Sequence, residues 1–235
     1  MLNIERERIF EQIRDKCRIL KIPSPPEIFV DIELFNSRGE KIRSNRQRGN
    51  SWTRNYYNYF FGALTESPGG NSNNFGVGYM SGKRTSGTID YSNTTPAGRN
   101  SAAYAGGWIY SGANESAGIV IGTSDAAFDE DHYTLQSLIT HGVDSGKMLY
   151  VPMVYPVISY AAKVWTSRAE RFFYNYSGGS IDVKETGLYI GPYFFSSGTY
   201  YYMVERNVLV STVTVANQEV LKVAYDVSMD FSAID

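Results

Sequence analysis

The chain has 235 residues, of which 43% are apolar and 20% charged, and its net charge is −2. This composition excludes a disordered chain, and no run of about 18 apolar residues is present to span a bilayer. The single cysteine excludes an intrachain disulfide framework and a cysteine-based zinc site. The N-terminal stretch is charged throughout and lacks the apolar segment of a signal peptide, so we expect the chain to stay in the compartment where it is made.

The chain is rich in Tyr (19), Phe (12) and Gly (22), which favours an all-β structure with long loops. Charge is uneven, with a net of +4 over residues 1–54 and −6 over the remainder. This polarity suits head-to-tail contact between copies or a basic end facing an acidic partner, and it is equally typical of ordinary solvated surfaces.

Residues 1–22 are predicted to form an amphipathic helix that serves as an assembly arm, ended by the prolines that follow it. The apolar side chains recur at helical spacing, and we assign them to an interface: Ile9, Phe10, Ile13, Cys17 and Leu20. This stripe must be buried either on the chain's own domain or on a neighbouring subunit. Cys17 is expected to pack as a small apolar side chain rather than to react as a thiol.

Residues 23–64 are predicted to be a hairpin followed by a helix that packs on the β domain. Alternating residues 28–35 indicate a strand, residues 36–39 a turn and residues 40–44 the return strand. Ser51 is expected to cap a helix over residues 52–64 with an aromatic buried face. The hairpin carries a basic cluster that we assign to charged interface contacts, namely Arg43, Arg46 and Arg48. No DNA-binding motif accompanies this cluster, so a nucleic-acid partner is not favoured.

Residues 65–116 form a Gly/Asn/Ser-rich extended insertion with only short strand-like pieces. A polar stretch this long within a domain is usually functional or ordered by a partner. Its aromatic residues in a Gly-rich context are candidates for stacking on sugar rings: Tyr104, Trp108 and Tyr110.

Residues 117–235 are predicted to be the C-terminal β-sandwich. Strands are expected over residues 118–123, 148–164, 170–176, 181–190, 199–206 and 208–215, with residues 133–140 either a strand or a helical turn. Strict alternation over residues 221–231 is the strongest strand pattern in the chain. We therefore predict a mainly β fold: an antiparallel, jelly-roll-like β-sandwich with an N-terminal helix, a second short helix and a long insertion.

The one dense group of acidic residues lies in the loop at 124–132. Asp125, Asp129 and Asp131 are weak candidates for a Ca²⁺ site, because hard cations prefer several carboxylate oxygens. The spacing does not match an EF-hand, and the alternative is a solvated loop in which Asp129 or Asp131 caps the next element.

Catalytic motifs are not found in the sequence. No G-x-S-x-G, Walker A or Rossmann fingerprint is present, and only His132 and His141 could supply imidazole chemistry. We therefore expect no catalytic residues and no cofactor, although a pair of glycosidase carboxylates cannot be recognised from sequence.

A combination of segments resembles structural proteins of tailed bacteriophage virions. These segments are SWTRNYYNY (51–59), GIVIGTSD (118–125), DHYTL (131–135), THG (140–142), KETGLY (184–189), VERNVL (204–209), VTV (213–215) and the closing alternating strand. The resemblance covers residues 28–64 and 118–231. Its motifs are structural, so no active site is carried over.

The resemblance implies a non-enzymatic virion protein, made in the host cytoplasm and assembled in repeated copies through its arm and loops. Its expected partners are copies of itself and other virion proteins, with no membrane partner. The competing hypothesis is a carbohydrate-binding module, in which exposed aromatic side chains bind a cell-surface glycan. Both functions could coexist on a phage fibre.

Overall fold

The computed structural model of the chain describes residues 2–49, 51–57, 82–90, 112–195 and 198–233. Within these ranges the fold is mainly β, with one long helix, α1 (Leu2–Leu20), and a helical segment at residues 54–57. The strands are β1 (Glu27–Phe35), β2 (Lys41–Arg48), β3 (Ser51–Trp52), β4 (Gly82–Lys83), β5 (Ile89–Asp90), β6 (Gly118–Gly122), β7 (Leu149–Tyr150), β8 (Val154–Ala161), β9 (Val164–Tyr174), β10 (Ile181–Phe195), β11 (Gly198–Val215) and β12 (Val220–Asp230). All the strand pairs are antiparallel.

The larger sheet, sheet A, has six strands in the order β2-β1-β12-β9-β7, and β8 also pairs with β9. Its central strands alternate as the sequence predicts. In β1, Val30 and Ile32 are buried, whereas Asp31 and Glu33 lie on the outer face. The inner face of β12 is equally apolar, since Leu221 and Val223 are completely buried.

The smaller sheet, sheet B, has four strands in the order β3-β11-β10-β6. Side chains join the two sheets. Gln47 of β2 donates to Asn207 of β11, and the hydroxyls of Thr186 on β10 and Tyr225 on β12 lie 2.7 Å apart. The apolar core is shared by both sheets, which confirms the predicted sandwich.

The predicted second helix begins later than expected. Trp52 belongs to strand β3, which pairs with β11, so Ser51 does not cap a helix. The helical segment starts at Arg54, after Thr53, and the Trp52 and Tyr56 rings stack 3.8 Å apart. Competition from the edge of β11 explains the shift, because pairing with Glu205 and Arg206 satisfies the backbone of residues 51–52. Residues 58–64 lie outside the described ranges.

Several strand boundaries also differ from the prediction. The run 148–164 is not one strand, because β8 and β9 form a hairpin whose turn residues Ala162 and Lys163 have φ angles of 49° and 62°. Neither residue type signals such a turn, since left-handed backbone normally favours Gly or Asn. The predicted strands 199–206 and 208–215 are one strand, β11, and β10 continues to Phe195. Residues 133–140 form turns and a single bridge at Leu138.

Candidate functional site

A buried arginine holds the segment where the insertion rejoins the sandwich. Arg171 of β9 is completely buried. All five of its N–H groups donate to backbone carbonyls, those of Gly112, Asn114, Ala117, Ile119 and Val151, at 2.7–2.9 Å. Because a guanidinium carries five donors in a rigid plane, one side chain orders the whole stretch from residue 112 to β6.

The other described parts of the insertion are held against sheet B. Asn55 donates to the carbonyls of Lys83 and Met203, and its Oδ1 accepts the N–H of Lys83 at 2.7 Å. The hairpin β4–β5 is held further by the N–H of Thr85, which donates to the carbonyl of Tyr201. The ammonium of Lys83 lies 3.9 Å from the centre of the Tyr133 ring. Three parts of the chain around and within the insertion are therefore fixed to the sandwich, namely residue 55, residues 82–90 and residues 112–117.

The loop at 124–132 is fixed by a buried ion pair. Arg206 of β11 donates to Glu185 of β10 at 2.7 Å, and both side chains are completely buried. The remaining donors of Arg206 bind the carbonyls of Ala126 and Ala127. A Cβ atom at Gly122 would lie 2.5 Å from Glu185 Oε1, so only glycine leaves room for this carboxylate.

The three candidate calcium ligands do not converge. Asp125 binds Lys184 at 3.2 Å and Asp131 binds Arg54 at 2.8 Å. Asp129 accepts the N–H of Asp131 at 2.8 Å, which is an Asx turn within the loop. Within the described ranges, no three His, Cys, Asp or Glu side chains come close enough to hold a metal ion.

Both histidines are engaged with the backbone. His132 Nδ1 accepts the N–H of Asp129 at 3.2 Å and lies 3.3 Å from Arg206. Burial and the Arg206 charge lower the pKa of His132 below its usual value, so this imidazole is neutral at pH 7. His141 Nδ1 accepts the N–H of Tyr150 at 3.2 Å. Both contacts fix loops of the sandwich in place.

The helix α1 docks on its own domain, at one end of the outer face of sheet A. Cys17 is buried, while Phe10 and Ile13 are partly buried. Ile9 and Leu20, also assigned to the interface, are exposed in this chain. The buried face is therefore narrower than the predicted stripe, and it includes charged residues.

Arg48 forms the centre of this docking contact. Its guanidinium is buried, binds Glu7 of α1 at 2.7 Å and Glu27 of β1 at 2.8 Å, and lies 4.0 Å from the centre of the Phe10 ring. Arg14 of α1 also binds Glu27. Burial opposes ionisation of Glu27, but hydrogen bonds from the two arginines outweigh it and lower the pKa of this carboxyl.

The other two interface arginines lie on strand β2. Arg46 binds Asp31 and Asp226 at 2.6–2.9 Å, and Arg168 of β9 binds the same two carboxylates. Arg43 donates to Ser211 and to the carbonyl of Thr212. The four-residue ion network covers the outer face of sheet A next to α1. Arg46 and Arg48 of the basic cluster are thus balanced by acids of β1, β12 and α1, which the local sequence does not show.

Sequence reasoning missed the buried polar side chains that shape this site. Arg171 and Glu205 lie at buried positions within strands, where alternation predicts apolar residues, and Arg206 is buried beneath the loop at 124–132. The signal was present in the pattern, because a charged residue at a core position of a strand indicates a specific partner. The candidate sugar contacts Tyr104, Trp108 and Tyr110 lie outside the described residues.

None of the helices in the described part of the chain is long and apolar enough to cross a membrane. Comparison with protein-family models, with curated proteins and with solved structures found no match.

Proposed function

We propose that this chain is a non-enzymatic structural protein of a tailed-phage virion, acting in repeated copies. The β-sandwich is the rigid part, and the insertion and the exposed side of α1 make contacts with other copies. The virion assignment rests on the sequence resemblance. The observation that carries the structural role is the use of the buried charges, each of which holds a segment of the chain in place.

Three buried guanidiniums support this interpretation. Arg171 holds the end of the insertion, Arg206 holds the acidic loop, and Arg48 holds α1. A buried charge is costly unless its donors are satisfied, and these three satisfy theirs on loop carbonyls and structural carboxylates. This arrangement fixes the positions of surface segments, as a component of a symmetric assembly requires.

The proposal is tested with the purified full chain. We expect its mass, measured by sedimentation over increasing protein concentration, to rise to a defined multimer. Hydrogen exchange within residues 65–116 should slow in the multimer relative to the dilute monomer, because contacts between copies exclude water.

A chain that stays monomeric at the highest concentration would contradict the proposal. Saturable glycan binding by that monomer, lost in Trp108→Ala, would instead support the carbohydrate-binding alternative.

A further inference from the structure

The exposed edges of the two sheets differ in how they are protected. The edge strand β2 carries Lys41, Arg43 and Arg46, and β3 has only two residues. The edge strand β6 is covered by residues 137–139, through bonds from Thr123 N to Ser137 O and from Ile139 N to Ile121 O. Charge, shortness and cover are three ways in which proteins prevent edge-to-edge pairing.

Over residues 157–161, strand β8 has none of these protections within the described part of the chain. It is eight residues long and pairs with β9 alone. No charged residue occurs from position 148 to position 162. Val157, Ile158 and Tyr160 are 69%, 63% and 64% exposed. Because neighbouring residues of a strand point to opposite faces, both faces of this edge are apolar.

The pairing register places the usable part of the edge at residues 157–161. These residues pair regularly with β9, whereas the register shifts between Val154 and Val157, around Pro156. Ile158 and Tyr160 lie opposite Ser167 and Trp165, which belong to the inner face of sheet A. Both side chains are nonetheless exposed in the described part of the chain.

We propose that β8 pairs antiparallel with β8 of a second copy of this chain about a two-fold axis beside Ser159, joining two A sheets into one. This inference rests on the proposed function and specifies one contact through which copies of the chain assemble. Centring residues 157–161 on the axis places Ile158 of one copy opposite Tyr160 of the other, and Val157 opposite Ala161. Cross-strand pairs of aromatic and β-branched side chains stabilise such a pairing.

The absence of charge in residues 148–162 favours a second copy of the chain as the partner that pairs with the edge of β8. In a two-fold contact the same surface is present on both sides, so a charged strand would be brought against its own charges. Residues 148–162 avoid this repulsion completely. The backbone groups of an edge strand also select another strand, because only an extended backbone satisfies them in register.

A charge placed on this edge tests the proposal. Val157→Lys should weaken self-association roughly tenfold or more, because a lysine on an edge strand loses hydration and an apolar cross-strand contact when a second strand pairs beside it. Val210→Lys is the matched control, since Val210 of β11 is 68% exposed and lies on sheet B. We expect the control to change the dissociation constant less than about twofold, both variants being measured by sedimentation.

A cross-link provides an independent test that does not weaken the contact. In a Cys17→Ser background, Ser159→Cys should form an intermolecular disulfide on mild oxidation, because directly opposed residues of paired strands are within disulfide range. Ser44→Cys on the other edge of sheet A should not.

The outcomes separate the two proposals. A multimer that persists in Val157→Lys and does not cross-link through Ser159→Cys would overturn the β8 contact and leave the structural function standing. A chain that is monomeric throughout would overturn both. Slow exchange of residues 157–161 in the dilute monomer would also overturn the β8 contact, because the chain's own insertion would then cover this edge.

Discussion

At the scale of single residues, Glu205 is the most unusual group in the sandwich. It is completely buried between the sheets, and neither carboxylate oxygen has a hydrogen-bond partner among the described residues. Burial raises the pKa of this carboxyl from 4.5 to about 8, and the nearby Tyr225 hydroxyl and Arg206 charge offset only part of that effect. Glu205 is therefore mainly protonated at pH 7, because burial disfavours its charged form.

The raised pKa of Glu205 predicts a loss of stability as pH increases. Because the folded chain holds the proton more tightly than the unfolded chain, its contribution is complete below the unfolded pKa of 4.5 and is lost as pH rises through about 8. Glu205→Gln should remove this part of the pH dependence and make the chain more stable than the wild type at alkaline pH. Urea unfolding at several pH values measures both effects.

Glu33→Gln is the control for this experiment. The pKa of Glu33 is lowered, first by its hydrogen bond to Lys41 on the outer face of sheet A. Its contribution to stability is therefore present above its unfolded pKa and lost at acid pH, the opposite direction. A Glu205→Gln variant with the same alkaline slope as the wild type would show that Glu205 is ionised in the folded chain.

Arg171 gives the second residue-scale prediction. Arg171→Lys keeps the charge, but three donors cannot satisfy five carbonyls. We expect the free energy of unfolding to fall by about 3 kcal/mol, since buried carbonyls would lose their partners. Hydrogen exchange at residues 112–119 should accelerate. Arg168→Lys, on the solvated outer face of the same strand, should cost less than about 1 kcal/mol. Equal losses in the two variants would contradict the role assigned to Arg171.

At the scale of elements, the docking of α1 depends on the buried guanidinium of Arg48. Arg48→Ala removes its ion pairs with Glu7 and Glu27 and its contact with Phe10. We expect α1 to detach more often, which would expose the single cysteine, Cys17. The measurement is the rate at which a thiol reagent labels the folded chain at neutral pH, expected to rise roughly tenfold or more if detachment is made easier by at least 1.4 kcal/mol.

Arg43→Ala is the matched control, because Arg43 lies on the same strand and bonds to Ser211 and Thr212 rather than to α1. Its labelling rate should equal that of the wild type. Slow labelling in Arg48→Ala would mean that α1 is held mainly by its apolar residues.

The elements that could be predicted are those with a clear periodicity. The spacing of Phe10, Ile13 and Cys17 predicted α1, and alternation predicted β1 and β12. Ends set by tertiary contacts could not be predicted. Trp52 joins a strand because β11 offers an unpaired edge, and the turn at Ala162 and Lys163 adopts left-handed backbone without glycine. In each case a distant pairing decides the local conformation.

The candidate site was less predictable than the fold. Asp125, Asp129 and Asp131 are close in sequence, yet Lys184 and Arg54 draw two of them apart. Arg46 and Asp226 are 180 residues apart in sequence and form an ion pair at 2.6 Å. Charge clusters in a sequence therefore do not reveal where neutralising partners lie, because strand order brings them together only after folding.

At the scale of the whole molecule, the two sheets have different tasks. Sheet B holds residues 82–90 of the insertion and the acidic loop, through Met203, Arg206 and Glu185, whereas Arg171 of sheet A holds the end of the insertion. Sheet A carries α1 at the β2–β1 end of its strand order, the ion network across β2, β1, β12 and β9, and the apolar edge β8 beyond β9. This division predicts that changes within residues 82–90, which are held on sheet B, leave association through β8 undisturbed.

The three fixed points of the insertion have a practical consequence. Residues 58–81 and 91–111 each run between anchored backbone, at residues 55, 82–90 and 112–117. The hydrogen bonds between Asn55 and Lys83 hold the two ends of residues 58–81 together, so lengthening this stretch costs little, about 0.6 kcal/mol for each doubling of its length. Foreign peptides could accordingly be grafted into residues 58–81, which would make this sandwich a carrier for multivalent antigen presentation.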